Sequence, residues 1–162
     1  MIIRDFNDTD VAPANAITND VILNTPIHFA CEPATDEAFR AYWQQGLRGG
    51  PWLAAEVDGI FAGYCKAGPW RDRAAYRFTV ETGIYIAPAY QGRGIGRSLY
   101  LALFERLRAA GMHRVVAGIT LPNEASVRLH EAVGFQYVGT FREVGWKFDR
   151  WHDVGWWEMG LR

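Results

Sequence analysis

The chain has 162 residues, of which 17 are Lys or Arg and 18 are Asp or Glu, so its formal net charge is −1. That near balance excludes the basic excess typical of a nucleic-acid-binding protein. An apolar fraction of 49% excludes a disordered chain. Because this length suffices to bury a substantial core, we expect one folded domain spanning residues 1–162.

The cysteines and the N-terminus indicate the compartment. Cys31 and Cys65 stand in no metal-ligand spacing, so the sequence predicts no metal site and no disulfide framework. Met1–Asp5 lacks a charged and then apolar leader, and no apolar run approaches membrane length. We therefore expect a cytoplasmic protein without membrane or nucleic-acid partners.

Apolar periodicity and end signals predict the elements of the first half. Thr35 is a suitable helix N-cap, and Asp58-Gly59 is a two-residue hairpin signal between two apolar runs. In chain order the predicted elements are a strand Ile2–Phe6, a helix from Thr9 to about Asn24, a helix from Thr35 through Gly46, and strands Pro51–Val57 and Ile60–Lys66. The last two strands should pair antiparallel.

The second half alternates strands and helices. Its predicted elements are a strand Tyr76–Ile86, a helix from Gly94 to Gly111, a strand Val115–Ile119, a helix from Asn123 to Gly134, and strands Gln136–Val144 and Asp153–Leu161 joined by a Gly/Lys/Asp-rich loop. This order predicts an α/β fold with a mixed sheet. The sheet should begin antiparallel and become parallel where the long helix crosses over.

The predicted strand before the long helix separates two kinds of side chain. Its alternation puts an apolar series on one face and leaves Glu81 on the opposite face. The apolar series is Phe78, Val80, Thr82, Ile84 and Ile86, and the opposite face also carries Thr79, Gly83 and Tyr85. A lone glutamate on a strand is usually a solvated surface residue, so spacing alone leaves its role open.

The segment Gln91-Gly92-Arg93-Gly94-Ile95-Gly96-Arg97-Ser98 joins that strand to the long helix. Alternate glycines at a helix start let consecutive N–H groups point at one anion, which the helix dipole also attracts. No Gly-Lys-Ser/Thr follows, which excludes a triphosphate loop, and G-x-G-x-x-G is not satisfied, which excludes a dinucleotide fingerprint. The pattern predicts a diphosphate site, although a helix start crowded by packing fits the spacing equally well.

A second motif follows at the start of the next predicted helix. With the glycine segment it resembles the GCN5-related N-acetyltransferase (GNAT) superfamily, whose signature is matched at Gln91, Gly94, Gly96, Asn123, Ser126, Gly134 and Phe135. Within the superfamily the chain is most similar to phosphinothricin and methionine sulfoximine acetyltransferases. The segments that carry this similarity are Pro51–Leu53, Gly68–Arg71, Tyr76, Thr79–Glu81, Leu121–Asn123, Ser126–Glu131 and Trp151–Gly155.

The resemblance implies a GNAT fold, whose mixed, mostly antiparallel sheet has two splayed strands between which acetyl-CoA enters. It implies that the backbone of Ile84, Tyr85 and Ile86 pairs with the pantetheine arm and that the loop holds the diphosphate. The loop residues are Gln91, Gly92, Arg93, Gly94, Ile95, Gly96, Arg97 and Ser98, and Asn123 and Ser126 complete the cofactor site. No metal is implied.

The resemblance also assigns catalytic residues. Glu81 becomes the candidate base that removes a proton from the acceptor amine, directly or through water. His130 stands seven residues after Asn123 and could serve as acid, base or orienting donor, because imidazole titrates near neutrality. Tyr85 is a further candidate proton donor. A packed histidine on an amphipathic helix is the structural alternative for His130.

The acceptor site is expected around the loop before the Glu81 strand. Arg71 and Arg73, with Asp72 between them, could bind a carboxylate or phosphinate through guanidinium forks, although exposed loop arginines are often only solvated. Phe29, with His28 beside it, is expected to line the same pocket. The segment Val21–Ala30 departs from the usual pattern of these enzymes, and this departure bears on substrate identity.

The resemblance thus implies acetyl transfer from acetyl-CoA to a small amino-acid-like amine such as methionine sulfoximine, methionine sulfone or phosphinothricin. Another small amine or a peptide N-terminus is an alternative acceptor. A non-catalytic acyl-CoA sensor is an alternative of another class. The resemblance, rather than any spacing, also implies a homodimer.

Overall fold

The computed structural model describes residues 1–162 as one seven-stranded sheet with four α-helices. The strands are β1 (Ile2–Asp5), β2 (Trp52–Val57), β3 (Ile60–Pro69), β4 (Thr79–Ile86), β5 (Arg114–Leu121), β6 (Gln136–Lys147) and β7 (Arg150–Gly160). The helices are α1 (Val11–Asn24), α2 (Asp36–Gly46), α3 (Ile95–Ala109) and α4 (Glu124–Ala132).

The sheet has the mixed, mostly antiparallel character predicted from the element order. Its strands are ordered β1-β2-β3-β4-β5-β7-β6, and β4 and β5 form the one parallel pair. Helix α3 makes the crossover between these two strands, as the sequence predicts. The predicted cap of α2 is also confirmed, because the Thr35 hydroxyl accepts a hydrogen bond of 3.1 Å from the amide of Ala38.

Two helical layers cover opposite faces of the sheet, each over its own apolar core. Helix α3 buries Leu99, Leu103 and Leu107 against one face, because these residues recur at helical spacing on one side of the helix. Helices α1 and α2 cover the other face with an aromatic cluster that includes Phe39, Trp43 and Tyr64. The side chains of β4 therefore alternate between two differently covered faces.

Three predicted boundaries are wrong, the first because β3 continues to Pro69 instead of ending at Lys66. Strand β4 begins at Thr79 rather than Tyr76, because Ala74–Tyr76 forms a 3-10 turn. The predicted loop between the last two strands is instead a β-hairpin, in which β6 and β7 remain paired as far as Lys147 and Arg150. Phe148 and Asp149 make its turn with φ of 53° and 55°, a left-handed pair that lets two long strands connect without a loop.

Candidate active site

The strands β4 and β5 diverge soon after they meet. Only Thr79–Glu81 pairs with β5, through Arg114–Val116, so the edge of β4 that faces β5 has no ladder partner from Thr82 onward. A cavity of about 740 Å³ occupies the opening and is lined from both faces of the sheet. The sheet therefore has an opening between β4 and β5, close to both predicted motifs.

The glycine segment lies beside this region, at the end of β4, and its residues are not among those that line the cavity. Gly92 and Gly94 have φ of 73° and 77°, so both need the left-handed region that favours glycine. Gly94 caps α3, and a Cβ atom at either position would meet nothing within 4 Å. The loop therefore presents bare backbone at the N-terminus of a 15-residue helix, the arrangement that binds phosphate groups.

The side chains of this loop have different surroundings. The amide of Gln91 donates a hydrogen bond of 3.1 Å to the carbonyl oxygen of Ile86, which ties the loop to the end of β4. Arg93 lies over the ring of Tyr90 at 5.3 Å from its centroid, and Arg97 is exposed. Ile95 is buried in the core, while the Ser98 hydroxyl donates to the Gly94 carbonyl oxygen at 3.3 Å.

Gly96 is required for a different reason. A Cβ atom there would lie 2.9 Å from Cδ2 of Leu129 on α4 and 3.5 Å from Cδ1 of Ile84 on β4. The first turn of α3 thus approaches both α4 and the free edge of β4 closely. Glycine at this position brings the predicted diphosphate loop, the predicted pantetheine strand and the second motif into one assembly.

Helix α4 places the second motif on the cavity wall. The side-chain oxygen of Asn123 accepts a hydrogen bond of 3.2 Å from the amide of Ser126, so Asn123 is the N-cap of α4. Asn123 and Ser126 both line the cavity. The cap uses only the side-chain oxygen, which leaves the NH₂ group of Asn123 available to a ligand.

His130 is buried one helical turn beyond Ser126, at 3% exposure, and also lines the cavity. Its Nδ1 lies 2.7 Å from the Ser126 carbonyl oxygen and must donate, because a carbonyl can only accept. Burial lowers the pKa of His130, which favours the neutral ring. Its Nε2 therefore accepts the hydrogen bond of 2.8 Å from the hydroxyl of Tyr100 on α3.

Glu81 stands on the other face of the sheet. It is half-buried, lines the cavity, and forms no ion pair within 4.0 Å. Burial raises the pKa of the Glu81 carboxyl, while the positive charges of Lys66 and Arg71 oppose that shift. The predicted alternation is confirmed here, since Val80 and Thr82 are buried on the opposite face.

Tyr85 follows Glu81 on the same face. Its ring stacks on Tyr64 at 5.3 Å between centroids and lies 6.2 Å from the ring of His28. Burial raises the pKa of the Tyr85 phenol and lowers the pKa of His28, so the first keeps its proton and the second is neutral near pH 7. Both residues line the cavity beside Glu81.

The loop after β3 brings one of its two arginines to the site. Arg71 lines the cavity, and its guanidinium lies over the ring of Trp70 at 5.0 Å from the centroid. Asp72 and Arg73 are exposed and do not line the cavity. The structure therefore brings Arg71, but not Asp72 or Arg73, together with Glu81.

The segment between α1 and α2 forms part of the cavity wall. Ile27, His28 and Phe29 line it. The Lys147 ammonium, on β6, donates hydrogen bonds of 2.6 and 2.7 Å to the carbonyl oxygens of Ile22 and His28. Lys147 is 5% exposed and has no carboxylate partner, so it serves to hold this segment in place.

Sequence reasoning missed several cavity residues. Tyr100 and Thr82 line the cavity but belong to apolar helical and strand patterns. Lys147 does not line the cavity but holds the segment that does, and it falls in a predicted loop. Lys66 and Tyr42, which line the acceptor face, resemble solvated positions on a strand and a helix. The period-2 pattern of β3 could have found Lys66, because it puts this residue on the face that carries Tyr64.

Neither a metal centre nor a membrane span is evident. No group of three or more His, Cys, Asp or Glu side chains could hold a metal ion. Both cysteines are free thiols, Cys31 exposed and Cys65 buried. No helix combines the length and apolar character that crossing a membrane requires.

Comparison with known proteins identifies the class. The model of the acetyltransferase (GNAT) family matches residues 17–135. Phosphinothricin N-acetyltransferase of Streptomyces coelicolor is 42% identical, over 98% of this chain and 95% of the relative. L-methionine sulfoximine/L-methionine sulfone acetyltransferase of Salmonella typhimurium is 37% identical, over 99% of this chain and 95% of the relative. The chain belongs to the GNAT acetyltransferase family.

Solved structures agree with this assignment. The yncA protein of Salmonella typhimurium, solved with acetyl-CoA as its cofactor, has a TM-score of 0.94 at 36% identity and covers 100% of this chain and 94% of its own. A phosphinothricin acetyltransferase of Sinorhizobium meliloti in complex with acetyl-CoA has a TM-score of 0.95 at 30% identity, over 99% and 88%. The predicted family, fold and enzyme class are confirmed.

Proposed function

We propose that this protein transfers the acetyl group of acetyl-CoA to the α-amino group of a small amino-acid-like acceptor such as methionine sulfoximine, methionine sulfone or phosphinothricin. One observation carries the proposal: Glu81 and Ile84 both line the cavity in the gap between β4 and β5, Glu81 from one face of the sheet, and Ile84 lies against Gly96 at the phosphate-binding start of α3. The relatives named above support this choice of acceptor.

The cofactor side fits a CoA diphosphate and pantetheine arm. The left-handed glycines Gly92 and Gly94 leave the backbone uncovered at the start of α3, and Arg93 and Arg97 add positive charge. The unpaired edge of β4 at Ile84, Tyr85 and Ile86 offers a polyamide arm the hydrogen bonds of an added strand. The NH₂ group of Asn123 lies farther along the same wall and can orient the thioester end. Bound acetyl-CoA would supply the acetyl group as its thioester.

Glu81 is the base on the acceptor side. An α-ammonium group must lose a proton before its nitrogen can attack, and Glu81 is the carboxylate that lines the cavity. Burial raises the pKa of the Glu81 carboxyl toward the pKa of the ammonium group whose proton it accepts, and this improves proton transfer. The cations Lys66 and Arg71 keep part of the carboxyl ionised for this step.

Tyr100 and His130 form a polar pair on the cofactor side, where the thiolate would leave. The Tyr100 hydroxyl keeps its proton, because burial raises its pKa, and it is held by Nε2 of His130 at 2.8 Å. His130 is in turn oriented by the Ser126 carbonyl oxygen. We assign His130 the role of orienting this hydroxyl rather than of meeting the substrate directly. Tyr85 is the alternative hydroxyl, reached from the acceptor face.

Arg71 binds the carboxylate of the acceptor. Its guanidinium is fixed by the Trp70 ring, and Trp70 packs edge-on against Tyr76 at 5.1 Å. A guanidinium with a limited choice of rotamers loses less freedom when it pairs with a carboxylate. The ring of Phe29 also lines the cavity. We give Arg73 and Asp72 at most an outer role at the mouth.

We further propose that residues 1–162 act as one domain and assemble as a homodimer in the cytoplasm. All strands join one sheet, and two free thiols suit a reducing compartment. Trp146 and Trp151 lie opposite each other on the β6–β7 hairpin and are 54% and 55% exposed, and exposed apolar side chains of this kind can contact a second copy. Phe141, which is 60% exposed, lies on the other face of the hairpin and lines the cavity. Light scattering of the purified protein tests this assembly.

Release of free CoA thiol from acetyl-CoA tests the function. The acceptor panel is methionine sulfoximine, methionine sulfone, phosphinothricin, ordinary amino acids, polyamines and short peptides. Turnover on the first three alone is the expected result. Turnover confined to peptides or polyamines would move the assignment to another acceptor class, and binding of acetyl-CoA without any turnover would indicate a sensor.

A further inference from the structure

Lys66 is a cation inside the acceptor half of the cavity, and the proposed reaction so far uses only the effect of its charge on Glu81. It lies on β3 directly opposite Gly83 of β4, so its side chain shares a face with Glu81, two residues along from Gly83. A Cβ atom at position 83 would lie 3.1 Å from Cε of Lys66. Glycine at 83 therefore leaves the space through which the lysine stem crosses β4.

The ammonium group of Lys66 is held by aromatic residues instead of by an acid. It donates a hydrogen bond to the Tyr42 hydroxyl and lies 4.3 Å and 5.2 Å from the ring centroids of Tyr42 and Trp52. It forms no ion pair with any carboxylate. Rings attract a cation through their faces but leave its charge uncompensated.

The charge of Lys66 acts within the cavity. It lowers the pKa of His28 and opposes the rise in the pKa of Glu81, so both residues experience it. Arg71 is a second cavity cation without an ion-pair partner. The acceptor half thus contains two positive side chains and one carboxylate.

The charges in the acceptor half of the cavity determine which acceptors can pair with both of its cations during the reaction. Once Glu81 has taken the proton of the acceptor ammonium it is neutral, and two cations remain. An amino acid with an uncharged side chain contributes only its α-carboxylate, which pairs with Arg71. An acceptor with a second anionic group neutralises both cations, and an unpaired charge in a partly desolvated cavity is unfavourable.

We propose that Lys66 is a specificity-determining residue that binds a second anionic group of the acceptor, so that the enzyme favours amino acids with an anionic side chain over those with an uncharged one. This inference rests on the proposed function and deepens it. Phosphinothricin, with a phosphinate, and methionine sulfone, with a neutral sulfone, are matched probes of the two classes.

The test compares kcat/KM for the two probes in the unaltered enzyme and in the variants Lys66→Gln and Lys66→Arg. Both probes are compared at a pH above the acidic limb of the activity, where Glu81 is ionised with or without the charge of Lys66. There we expect Lys66→Gln to lower kcat/KM for phosphinothricin about tenfold or more, since a charge-assisted hydrogen bond is lost, and to change kcat/KM for methionine sulfone by less than about threefold. Lys66→Arg should retain most of the preference. The KM for acetyl-CoA should stay unchanged in both variants.

Arg40→Gln is the matched control. It removes one positive charge from α2, the helix that carries Tyr42, but Arg40 pairs with Asp8 and does not line the cavity. This control should leave both probes unaffected. Equal losses on the two probes in Lys66→Gln, or no loss on either, would overturn the assignment and leave the proposed function standing. Absence of turnover with either probe in the unaltered enzyme would overturn the proposed function and the Lys66 assignment with it.

Discussion

The ring of Phe29 fills the space that a side chain at Gly145 would occupy. A Cβ atom at position 145 would lie 2.3 Å from Cε2 and 2.4 Å from Cζ of that ring. Phe29 also lies 6.3 Å from the ring of His152, whose Nε2 donates to the Lys147 carbonyl oxygen at 2.8 Å. The segment over the acceptor pocket is therefore seated on the β6–β7 hairpin.

The first prediction follows from the contact between Phe29 and position 145. Gly145→Ala should displace Phe29 and raise the acceptor KM about tenfold, while the KM for acetyl-CoA stays within about twofold, because the cofactor wall is elsewhere. Gly139→Ala is the matched control on the same strand, since a Cβ atom there meets nothing within 4 Å. Steady-state kinetics with both substrates varied would distinguish them. An acceptor KM that rises equally in both variants would show that Gly145 does not position Phe29 for acceptor binding.

Glu81→Gln tests the base. The amide cannot accept the ammonium proton, so kcat should fall by about 10²–10⁴-fold. Acetyl-CoA affinity, measured by isothermal titration calorimetry, should be unchanged. Glu105→Gln on the exposed side of α3 removes the same charge away from the cavity and should retain full activity. Unchanged turnover in Glu81→Gln would remove this residue from the mechanism.

The raised pKa of Glu81 has consequences for both activity and stability. Activity requires the carboxylate, so the acidic limb of kcat/KM should lie above the ordinary glutamate pKa of about 4.3. Between that value and the raised pKa, the folded state holds a proton that the unfolded state has released. The free energy of unfolding therefore falls as pH rises through this window.

Thermal unfolding from pH 4 to pH 8 checks the sign. Glu81→Gln should lose this decrease in stability and should be at least as stable as the unaltered protein at neutral pH, because the amide is not charged. A variant that is less stable at neutral pH and equally stable in acid would show that the ionised form is favoured by folding.

Substitution of Gly94 tests whether the loop before α3 binds the phosphate groups of acetyl-CoA. Gly94→Ala forces a side chain into a left-handed conformation at the start of α3, which costs about 1 kcal/mol and shifts the loop amides. The KM for acetyl-CoA should rise severalfold with little change for the acceptor. Gly111→Ala imposes the same strain at the far end of α3, where φ is 75° and space is open, and should affect stability alone. Identical kinetics in the two variants would contradict a phosphate-binding loop.

Tyr100→Phe removes the hydroxyl that His130 holds. It leaves a buried nitrogen without a donor, so the free energy of unfolding should fall by about 1–3 kcal/mol. If this hydroxyl turns away from Nε2 of His130 and gives its one proton to the thiolate, becoming a phenolate that must later be reprotonated, kcat of Tyr100→Phe should fall more than tenfold by the usual scale of acid catalysis. Tyr137→Phe removes an exposed hydroxyl bonded to Thr140 and is the control for both measurements. A loss of stability with normal kcat would transfer the acid role to Tyr85.

Much of the fold was predictable because local patterns act over short stretches. The alternation around Glu81 correctly assigned it to the face away from Val80 and Thr82. The two motifs located the starts of α3 and α4, because a left-handed glycine and an asparagine cap are strong local signals. The hairpin turn at Phe148 and Asp149 was missed, since it contains no glycine and a bulky residue such as Phe148 rarely adopts the left-handed conformation that the turn requires.

The acceptor half was less predictable because it depends on contacts between distant segments. Lys147 meets the Ile22 carbonyl oxygen across 125 residues of chain, and no local pattern indicates such a partner. Arg71 and Arg73 are equivalent in the sequence, yet only the first faces the cavity, since the Trp70 ring directs it there. Pairing of Lys66 with Gly83 likewise depends on the register between β3 and β4.

The gap between β4 and β5 also affects the order in which the two substrates bind and the products leave. Because the two substrates would reach it from opposite faces of the sheet, neither has to leave before the other arrives. No cysteine lines the gap to store an acetyl group between them: Cys65 is buried in the core and Cys31 lies outside the cavity. We therefore expect both substrates to be present together when the acetyl group moves, so initial-velocity plots should intersect, whereas a double-displacement enzyme would give parallel lines.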